Sequence, residues 1–332
     1  MTVEVSVIVP VYNRGPYIAR ALTSILNQTF QDFEIFVIDG GSTDDGPQVV
    51  KGFRDPRIHL VQQAGTGVSA ARNQGVQLAT SGFIAFLDAD DEWTPGHLAT
   101  LVQLRRKYPG AGLCATAYRV NTPGHASGKP KIRGISPPPW EGLVPDYFSA
   151  AVFSEGTLPF VTSSAGVPKE IMRAVGGFQE GIQWGEDIDL WFRIVLKHPV
   201  AFSWEGEAIW HTDAGNRISG SVPRLDMEPL VDRARKELKR DQMKNISPFL
   251  EEYLAIKELN RSLWNIKAGH PERAREILRA IETKLFYFRW IRLTFFAYLP
   301  AGLFRFAWRI RRSINRFVFR RDYTLDPWQK QA

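Results

Sequence analysis

The sequence predicts an α/β fold in which a mostly parallel sheet is flanked by helices and followed by a C-terminal helical extension. Three observations predict it. Over roughly the first 120 residues, apolar runs of strand length alternate with segments of helical spacing, which is typical of a parallel sheet with helices on both faces. Acidic and glycine-rich segments follow the strands, where open α/β sheets bind ligands. From about residue 222, helical spacing takes over.

The elements of the alternating region can be justified in order. The runs that predict strands are mostly apolar, as buried parallel strands are, and they cover residues 5–11, 33–38, 58–62, 83–87 and 112–120. The segments that predict helices carry apolar residues three or four positions apart, as Ile18, Leu22 and Ile25 do, and they cover residues 16–28, 44–53, 68–79 and 95–108.

The middle of the chain interrupts this alternation. Residues 121–140 are rich in proline, glycine, lysine and serine, which predicts a long loop. The fold is expected to resume at 160–167, followed by a helix at 169–175 that ends at a glycine pair. Residues 187–197 predict a helix with one apolar side, and residues 199–211 predict a strand pair.

These elements divide the chain into three predicted regions. Residues 1–221 are expected to form the domain that carries the chemistry, 222–283 a helical extension, and 284–332 a basic, aromatic tail. Within the extension, residues 260–281 resemble a helical hairpin of the tetratricopeptide kind, broken at Ala268-Gly269-His270-Pro271. One copy of such a hairpin does not predict a solenoid.

Composition excludes several classes of protein. The chain has 332 residues, of which 44% are hydrophobic and 23% charged, as is usual for a folded globular protein. Its single cysteine, Cys114, cannot form an internal disulfide and fits a reducing compartment. The N-terminus lacks the pattern of a signal peptide, and no run approaches the roughly 18 apolar residues of a spanning helix. We expect a cytoplasmic protein.

Three carboxylates directly follow the predicted strand at 83–87, in the segment Asp88-Ala89-Asp90-Asp91. Asp88 and Asp90 would not both ionise easily without a counter-charge. A divalent cation carrying phosphates would supply it, since magnesium and manganese prefer oxygen ligands and often bridge carboxylates and a nucleotide diphosphate. The alternative is a solvated acidic turn.

Asp39 and Arg72 carry candidate chemistry nearer the N-terminus. Asp39 follows a strand and precedes two glycines, so its carboxylate is suited to accept hydrogen bonds from a base or a ribose. Its structural alternative is an Asx-type turn. Arg72 could neutralise phosphate or hold Asp88 by a charge-assisted pair, and its alternative is an ordinary surface arginine.

Two further candidates lie beyond residue 180. Asp187 precedes an amphipathic helix and could act as a general base or only as a helix N-cap. Its neighbours Glu186 and Trp184 would tune its pKa. His211 could ligate a metal or touch a diphosphate, although a single histidine is more often structural.

The order of these motifs resembles the family 2 glycosyltransferases of GT-A fold, over roughly residues 3–220. Five segments carry the resemblance: Ser6-Val7-Ile8-Val9-Pro10-Val11-Tyr12-Asn13, Asp39-Gly40-Gly41-Ser42-Thr43-Asp44, Gly67-Val68-Ser69-Ala70-Ala71-Arg72-Asn73, Asp88-Ala89-Asp90-Asp91 and Gly185-Glu186-Asp187. The resemblance implies a GT-A-type, Rossmann-like sheet and an enzyme of the hexosyltransferase kind. Many members carry two acids where this chain has Asp39-Gly40.

The resemblance also implies a reaction and a set of roles. The donor would be a nucleotide-diphosphate sugar, with a UDP-sugar as the first expectation, the cofactor Mn2+ or Mg2+, and the outcome inversion at the anomeric carbon. Asp187 would deprotonate the acceptor hydroxyl in a single displacement. The implied sites are a base pocket of Pro10, Tyr12 and Asn13 with Asp39 on the base, Arg72 near the diphosphate, Asp88 on the ribose or sugar, Asp90 and secondarily His211 on the metal, and Asp91, Trp184 and Glu186 nearby.

The tail carries the basic excess of the chain, whose net charge is +7. Residues 284–321 contain ten lysines and arginines and no acid, so the remainder is slightly acidic. From 303 to 321 an apolar helical face runs beside a stripe of arginines, as in helices that lie in a membrane interface. The alternative is a helical pair packed on the main domain. A nucleic acid partner is not expected, because the main domain is not basic.

This tail predicts peripheral association with the cytoplasmic face of a membrane, and a glycan or lipid-linked acceptor in polysaccharide biosynthesis. Two other functions stay open. One is transfer of a sugar to a polyprenyl phosphate by the same fold. The other is a non-catalytic protein that binds nucleotide-sugars. The sequence identifies neither the sugar nor the acceptor.

Overall fold

The structure is a computed structural model, and it describes residues 3–124, 126–154, 157, 159–182, 184–214, 228–240, 246–300 and 303–304. The chain forms two compact units. Unit 1 comprises residues 1–130, 135–147 and 158–217, and unit 2 comprises residues 131–134, 148–157 and 218–332.

Unit 1 is built on one sheet, to which the described residues contribute nine strands. The strands are β1 Val5–Val11, β2 Phe33–Asp39, β3 Ile58–Gln62, β4 Phe83–Phe86, β5 Glu92–Trp93, β6 Leu113–Asn121, β7 Glu141–Leu143, β8 Ala165–Pro168 and β9 Val200–His211. Their order in the sheet is β3-β2-β1-β4-β8-β6-β9-β5, and β7 pairs with β9.

Six helices described in unit 1 are α1 Gly15–Leu26, α2 Gly46–Gly52, α3 Gly67–Leu78, α4 His97–Lys107, α6 Lys169–Ala174 and α7 Glu186–Val195. Helix α5 is Tyr147–Phe153, and its residues from 148 onward belong to unit 2. A short 3₁₀ turn covers Thr162–Ser164, immediately before β8. The predicted α/β class is confirmed, and the predicted elements differ from the observed ones mainly by one or two residues at their ends.

Parallel pairing of strands occurs in two parts of the sheet. Strands β3, β2, β1 and β4 are mutually parallel, and β6 is parallel to β9. Strand β8 runs antiparallel to both of its neighbours, β4 and β6, so the direction reverses at the centre of the sheet. The core strand β1 is almost entirely buried, as expected for a strand covered on both faces.

The predicted strand pair at 199–211 is wrong. The chain there forms one strand of twelve residues, β9, which pairs with β5, β6 and β7. The register with β6 shifts between Ser203 and Ala208, and the turn-like sequence Trp204-Glu205-Gly206-Glu207 lies in this irregularity. Gly206 takes a φ of +68° there, so the strand bends without ending.

Unit 2 contains the described helices α8 Glu228–Arg240, α9 Leu250–Ala268, α10 Pro271–Arg279 and α11 Tyr287–Tyr298. The predicted hairpin break is confirmed: α9 ends at Gly269, whose φ is +88°, and α10 starts at Pro271. Apolar side chains of α9, α10 and α11 share one core. The helix predicted at 303–321 lies outside the described residues apart from 303–304. Of the helices that are described, none is long and apolar enough to cross a membrane.

Candidate active site

The carboxyl ends of β1 and β2 lie side by side, and four of the predicted site residues are at or next to them: Pro10, Tyr12, Asn13 and Asp39. Pro10 is half-buried near the end of β1, and the Tyr12 side chain is 59% exposed. A Cβ at position 40 would lie 2.9 Å from Gln63 Oε1 and 3.5 Å from Tyr12 Cδ2. A second acid at position 40 would therefore clash with the Gln63 side chain unless that side chain moved.

The loop after β2 is tied to the loop after β1. Asn13 Oδ1 accepts a hydrogen bond from the Thr43 backbone N–H at 2.8 Å, and the Asn13 N–H donates to Ser42 Oγ at 3.0 Å. Asn13 has a φ of +50°, a conformation that asparagine adopts more readily than most residues. Asp39 is buried and its Oδ1 accepts from the Ser42 N–H, three residues on, at 3.0 Å, so this oxygen is engaged within its own loop.

The acidic turn after β4 is held by Ser163 of the 3₁₀ turn. Ser163 Oγ donates to Asp91 Oδ2 at 2.6 Å and accepts from the Asp88 N–H at 3.2 Å. The other Asp91 oxygen accepts from the His211 N–H at 3.2 Å. Asp91 is buried, so it braces the turn from inside, whereas the Asp88 side chain is 36% exposed.

Arg72 joins the acidic turn to the start of α7. Its side chain is 3% exposed, and its two terminal nitrogens donate to Asp88 Oδ1 and Glu186 Oε1, each at 2.7 Å. The guanidinium also lies 5.1 Å from the centre of the Phe178 ring. The predicted contact between Arg72 and Asp88 is therefore present, and Glu186 is a second partner of Arg72.

In this cluster, burial shifts the pKa values in one direction and the paired opposite charges shift them in the other. Burial alone would lower the pKa of Arg72, but the Asp88 and Glu186 carboxylates raise it above its ordinary value, so Arg72 stays a cation. Burial raises the pKa of Glu186, Arg72 counteracts this, and the Asp187 carboxylate adds to it. A buried cation between two acids is thus the electrostatic centre of the site.

Asp187 lies in the first turn of α7, one residue after Glu186. The helix N-cap is Gly185, with a φ of +83°, so the N-cap interpretation of Asp187 is wrong. Asp187 Oδ2 accepts from Thr162 Oγ1 at 2.9 Å, and Oδ1 accepts from the Ile188 N–H at 2.7 Å. A carboxylate can accept about four hydrogen bonds, so both oxygens keep capacity for an acceptor proton.

A second group of charges surrounds Asp90. Its Oδ2 lies 3.5 Å from Arg14 Nε, and its backbone carbonyl accepts from Arg20 at 2.6 Å. Arg20 also pairs with Asp213 at 3.1 Å, where both side chains are more than a quarter exposed. These contacts join the loop after β1, helix α1 and the segment after β9 to the acidic turn.

His211 lies beside the acidic turn. His211 Nε2 lies 3.3 Å from Glu92 Oε1, and Nδ1 lies 3.2 Å from Asn121 Nδ2. Burial and then Arg20 lower the pKa of His211, while Glu92 partly offsets them, so the imidazole is neutral near pH 7. Trp184 is half-buried and directly precedes Gly185.

No feature of the sequence marks several of the residues that contribute to the site. Thr162 and Ser163 lie in an uncharged segment, and Arg20 and Asp213 are separated by 193 positions. Only the fold brings them to the acidic turn. Within the part of the chain that the structure describes, no three His, Cys, Asp or Glu side chains form a group that could hold a metal ion.

A known protein family matches the N-terminal half of the chain. A family model for "Glycosyl transferase family 2" matches residues 6–175, just over half of the chain. The uncharacterized glycosyltransferase YibD of Escherichia coli is 39% identical over 105 residues, which are 31% of this chain and 30% of YibD. An uncharacterized glycosyltransferase of Rickettsia felis is 30% identical over 204 residues, 59% of this chain and 31% of that protein. The chain thus spans about a third of these relatives.

Solved structures share the fold at low identity. S. aureus TarS 1-349, in complex with UDP-GlcNAc, matches with a TM-score of 0.67 and 18% identity, over 86% of this chain and 83% of the TarS chain. The mannosyltransferase PcManGT from Pyrobaculum calidifontis, in complex with GDP-Man and Mn2+, matches with a TM-score of 0.56 and 18% identity, over 96% and 88% of the two chains. The fold is therefore of the GT-A type.

Proposed function

The chain belongs to glycosyl transferase family 2, and from that premise we propose that it is an inverting glycosyltransferase. It transfers a sugar from a nucleotide-diphosphate sugar to a hydroxyl of a glycan or a lipid-linked acceptor, in polysaccharide biosynthesis. One observation carries the proposal. Buried Arg72 binds both Asp88 and Glu186, which brings Asp187 beside the acidic turn although 99 positions separate it from Asp88.

The donor is proposed to bind along the carboxyl ends of β1, β2 and β4. The exposed Tyr12 ring offers a stacking surface for a base, and Asp39 offers a buried carboxylate for its N–H groups. Pro10 and Asn13 complete this pocket, and Asp88 serves the ribose or the sugar. TarS and PcManGT were solved with UDP-GlcNAc and GDP-Man, and a UDP-sugar is the donor we test first.

The acceptor is proposed to react through Asp187. As the acceptor hydroxyl attacks the anomeric carbon, Asp187 takes its proton while the bond to the diphosphate breaks on the opposite face. One displacement of this kind inverts the anomeric configuration. Thr162 holds one oxygen of the base at 2.9 Å, and Trp184 and Glu186 flank the base in sequence, Trp184 as a candidate wall for the acceptor.

A divalent metal, Mn2+ or Mg2+, is proposed to be held by Asp90 and His211. The residues fit this role: Asp90 offers carboxylate oxygens with 13% side-chain exposure, and His211 is a buried neutral imidazole whose backbone contacts Asp91. Such ions usually complete their shell with substrate phosphates, so a larger cluster of protein ligands is not required. The ion would stabilise the negative charge of the departing diphosphate.

The proposal is tested by ligand-dependent unfolding followed by turnover. A panel of UDP-, GDP- and dTDP-sugars is screened with Mn2+, with Mg2+ and with EDTA. We expect one donor class to raise the midpoint of thermal unfolding in the presence of metal, because it binds the native state. The same donor should then release its nucleoside diphosphate with turnover. Donor binding without any turnover on glycan or lipid-linked acceptors would instead identify a nucleotide-sugar-binding protein.

A further inference from the structure

Helix α11 of unit 2 is apolar on two opposite sides. One side is buried: Leu293 and Ala297 pack with Leu259 of α9 and Leu278 of α10 in the core of the helical unit. A helix with such a buried stripe normally carries polar residues on the other side. Here the other side is apolar as well.

The exposed side carries large apolar residues at helical spacing. Phe288 is 84% exposed, Phe295 and Tyr298 are each 60% exposed, and Ile291 is 41% exposed. Positions 288, 291, 295 and 298 follow an i, i+3, i+7, i+10 pattern, so they form one continuous face. Leu285, just before the helix, is 52% exposed. An aromatic patch of this continuity marks an interaction surface.

Charge near this face favours one kind of partner. Lys284 and Arg292 are exposed, and residues 284–321 contain ten basic residues and no acid. A second copy of the chain would bring the same basic segment against itself, which is unfavourable. Anionic lipid headgroups offer the opposite charge, and aromatic rings are suited to the depth just beneath them.

We propose that the face formed by Phe288, Ile291, Phe295 and Tyr298 lies on the surface of an anionic membrane. Twelve residues of helix extend about 18 Å, well short of the roughly 30 Å of a bilayer core, so α11 lies along the surface and does not cross it. Its inner side stays packed on α9 and α10. This inference is independent of the proposed catalysis, because it uses residues of unit 2 alone.

The test measures flotation of the full chain with two kinds of vesicle, phosphatidylcholine alone and phosphatidylcholine mixed with phosphatidylglycerol. We expect binding to the mixed vesicles that falls with added salt. Phe288→Ser/Phe295→Ser should lower the partition coefficient by about tenfold or more, since two rings leave the lipid. Lys284→Glu/Arg292→Glu should weaken the preference for phosphatidylglycerol, because it lowers the positive charge beside this face.

The matched control is Leu78→Ser/Leu143→Ser, which removes two leucines of unit 1 that are each 42% exposed. It should float like the unchanged chain. Equal flotation of the phenylalanine variant and the unchanged chain would overturn the proposal. So would a chain that ignores the mixed vesicles while light scattering shows a dimer that the phenylalanine variant converts to a monomer. Far-UV circular dichroism of each variant checks that the helices persist.

Discussion

The two arginine-centred clusters of unit 1 differ in how much water reaches them. Arg72 is 3% exposed and donates to two carboxylates, whereas the Arg20 and Asp213 side chains are 26% and 29% exposed. An exposed ion pair contributes little to stability, and a broken buried pair is costly because it leaves uncompensated charge. The difference indicates that the Arg72 cluster fixes the scaffold, whereas the exposed Arg20–Asp213 pair contributes little to stability.

The buried Arg72 cluster holds Glu186, the neighbour of Asp187, so removal of the proposed base is expected to have the largest effect. Asp187→Asn should lower turnover by about a thousandfold, because general base catalysis contributes roughly 10²–10⁴. Donor binding, followed by thermal shift, should persist. Glu186→Gln is the matched variant. It changes the neighbouring residue while keeping the shape of its side chain, and we expect it to lose less turnover. A larger loss in Glu186→Gln would move the role of base to that residue.

Arg72→Met tests how much the buried Arg72 cluster contributes to the free energy of unfolding. It leaves Asp88 and Glu186 without their shared cation, and breaking a buried pair costs about 3–5 kcal/mol. Since the Asp88 side chain is 36% exposed, we expect the lower end, about 3 kcal/mol. Urea unfolding followed by tryptophan fluorescence measures the free energy of unfolding. A loss below about 1 kcal/mol would place Arg72 in the same class as exposed pairs.

Thr162→Val removes the uncharged hydroxyl that contacts the proposed base. The hydroxyl of Thr162 donates to Asp187 at 2.9 Å, and a hydrogen bond to a charged group contributes about 1.5–3 kcal/mol. We expect turnover to fall by about tenfold with little change in the KM for the donor. Thr162→Ser should restore turnover, because it keeps the hydroxyl. A loss in Thr162→Ser as large as that in Thr162→Val would contradict the role of the hydrogen bond, because the serine keeps the hydroxyl.

Arg20→Met should have the smallest effect on stability. The Arg20–Asp213 pair is exposed, so we expect a change below about 1 kcal/mol in the free energy of unfolding. A destabilisation as large as that of Arg72→Met would abolish the distinction between the two clusters.

The donor side of the site could be predicted from sequence, because each acid there directly follows an apolar strand. Asp39 and Asp88 lie at the ends of β2 and β4, where parallel strands collect their loops. Their roles toward a ligand stay predictions. The α/β class followed from the same alternation of strands and helices.

The other side could not be predicted in the same way. Ser163 and Thr162 are uncharged, they belong to a single 3₁₀ turn, and no periodicity marks them. The antiparallel strand β8 likewise gives no signal of its direction, since four buried residues suit either orientation. The bend at Gly206 made one long strand look like two. These features depend on contacts between distant segments.

The Arg72–Glu186 contact also has a consequence for the order of folding. It joins residues 114 positions apart, whereas paired residues of β1 and β2 are 28 positions apart. Closing a longer loop costs more entropy, so near pairings form more readily than far ones. During refolding the parallel strands can pair while α7 is still undocked. We expect secondary structure to recover first and alignment of Asp187 to return last, so that regained activity reports completion of folding.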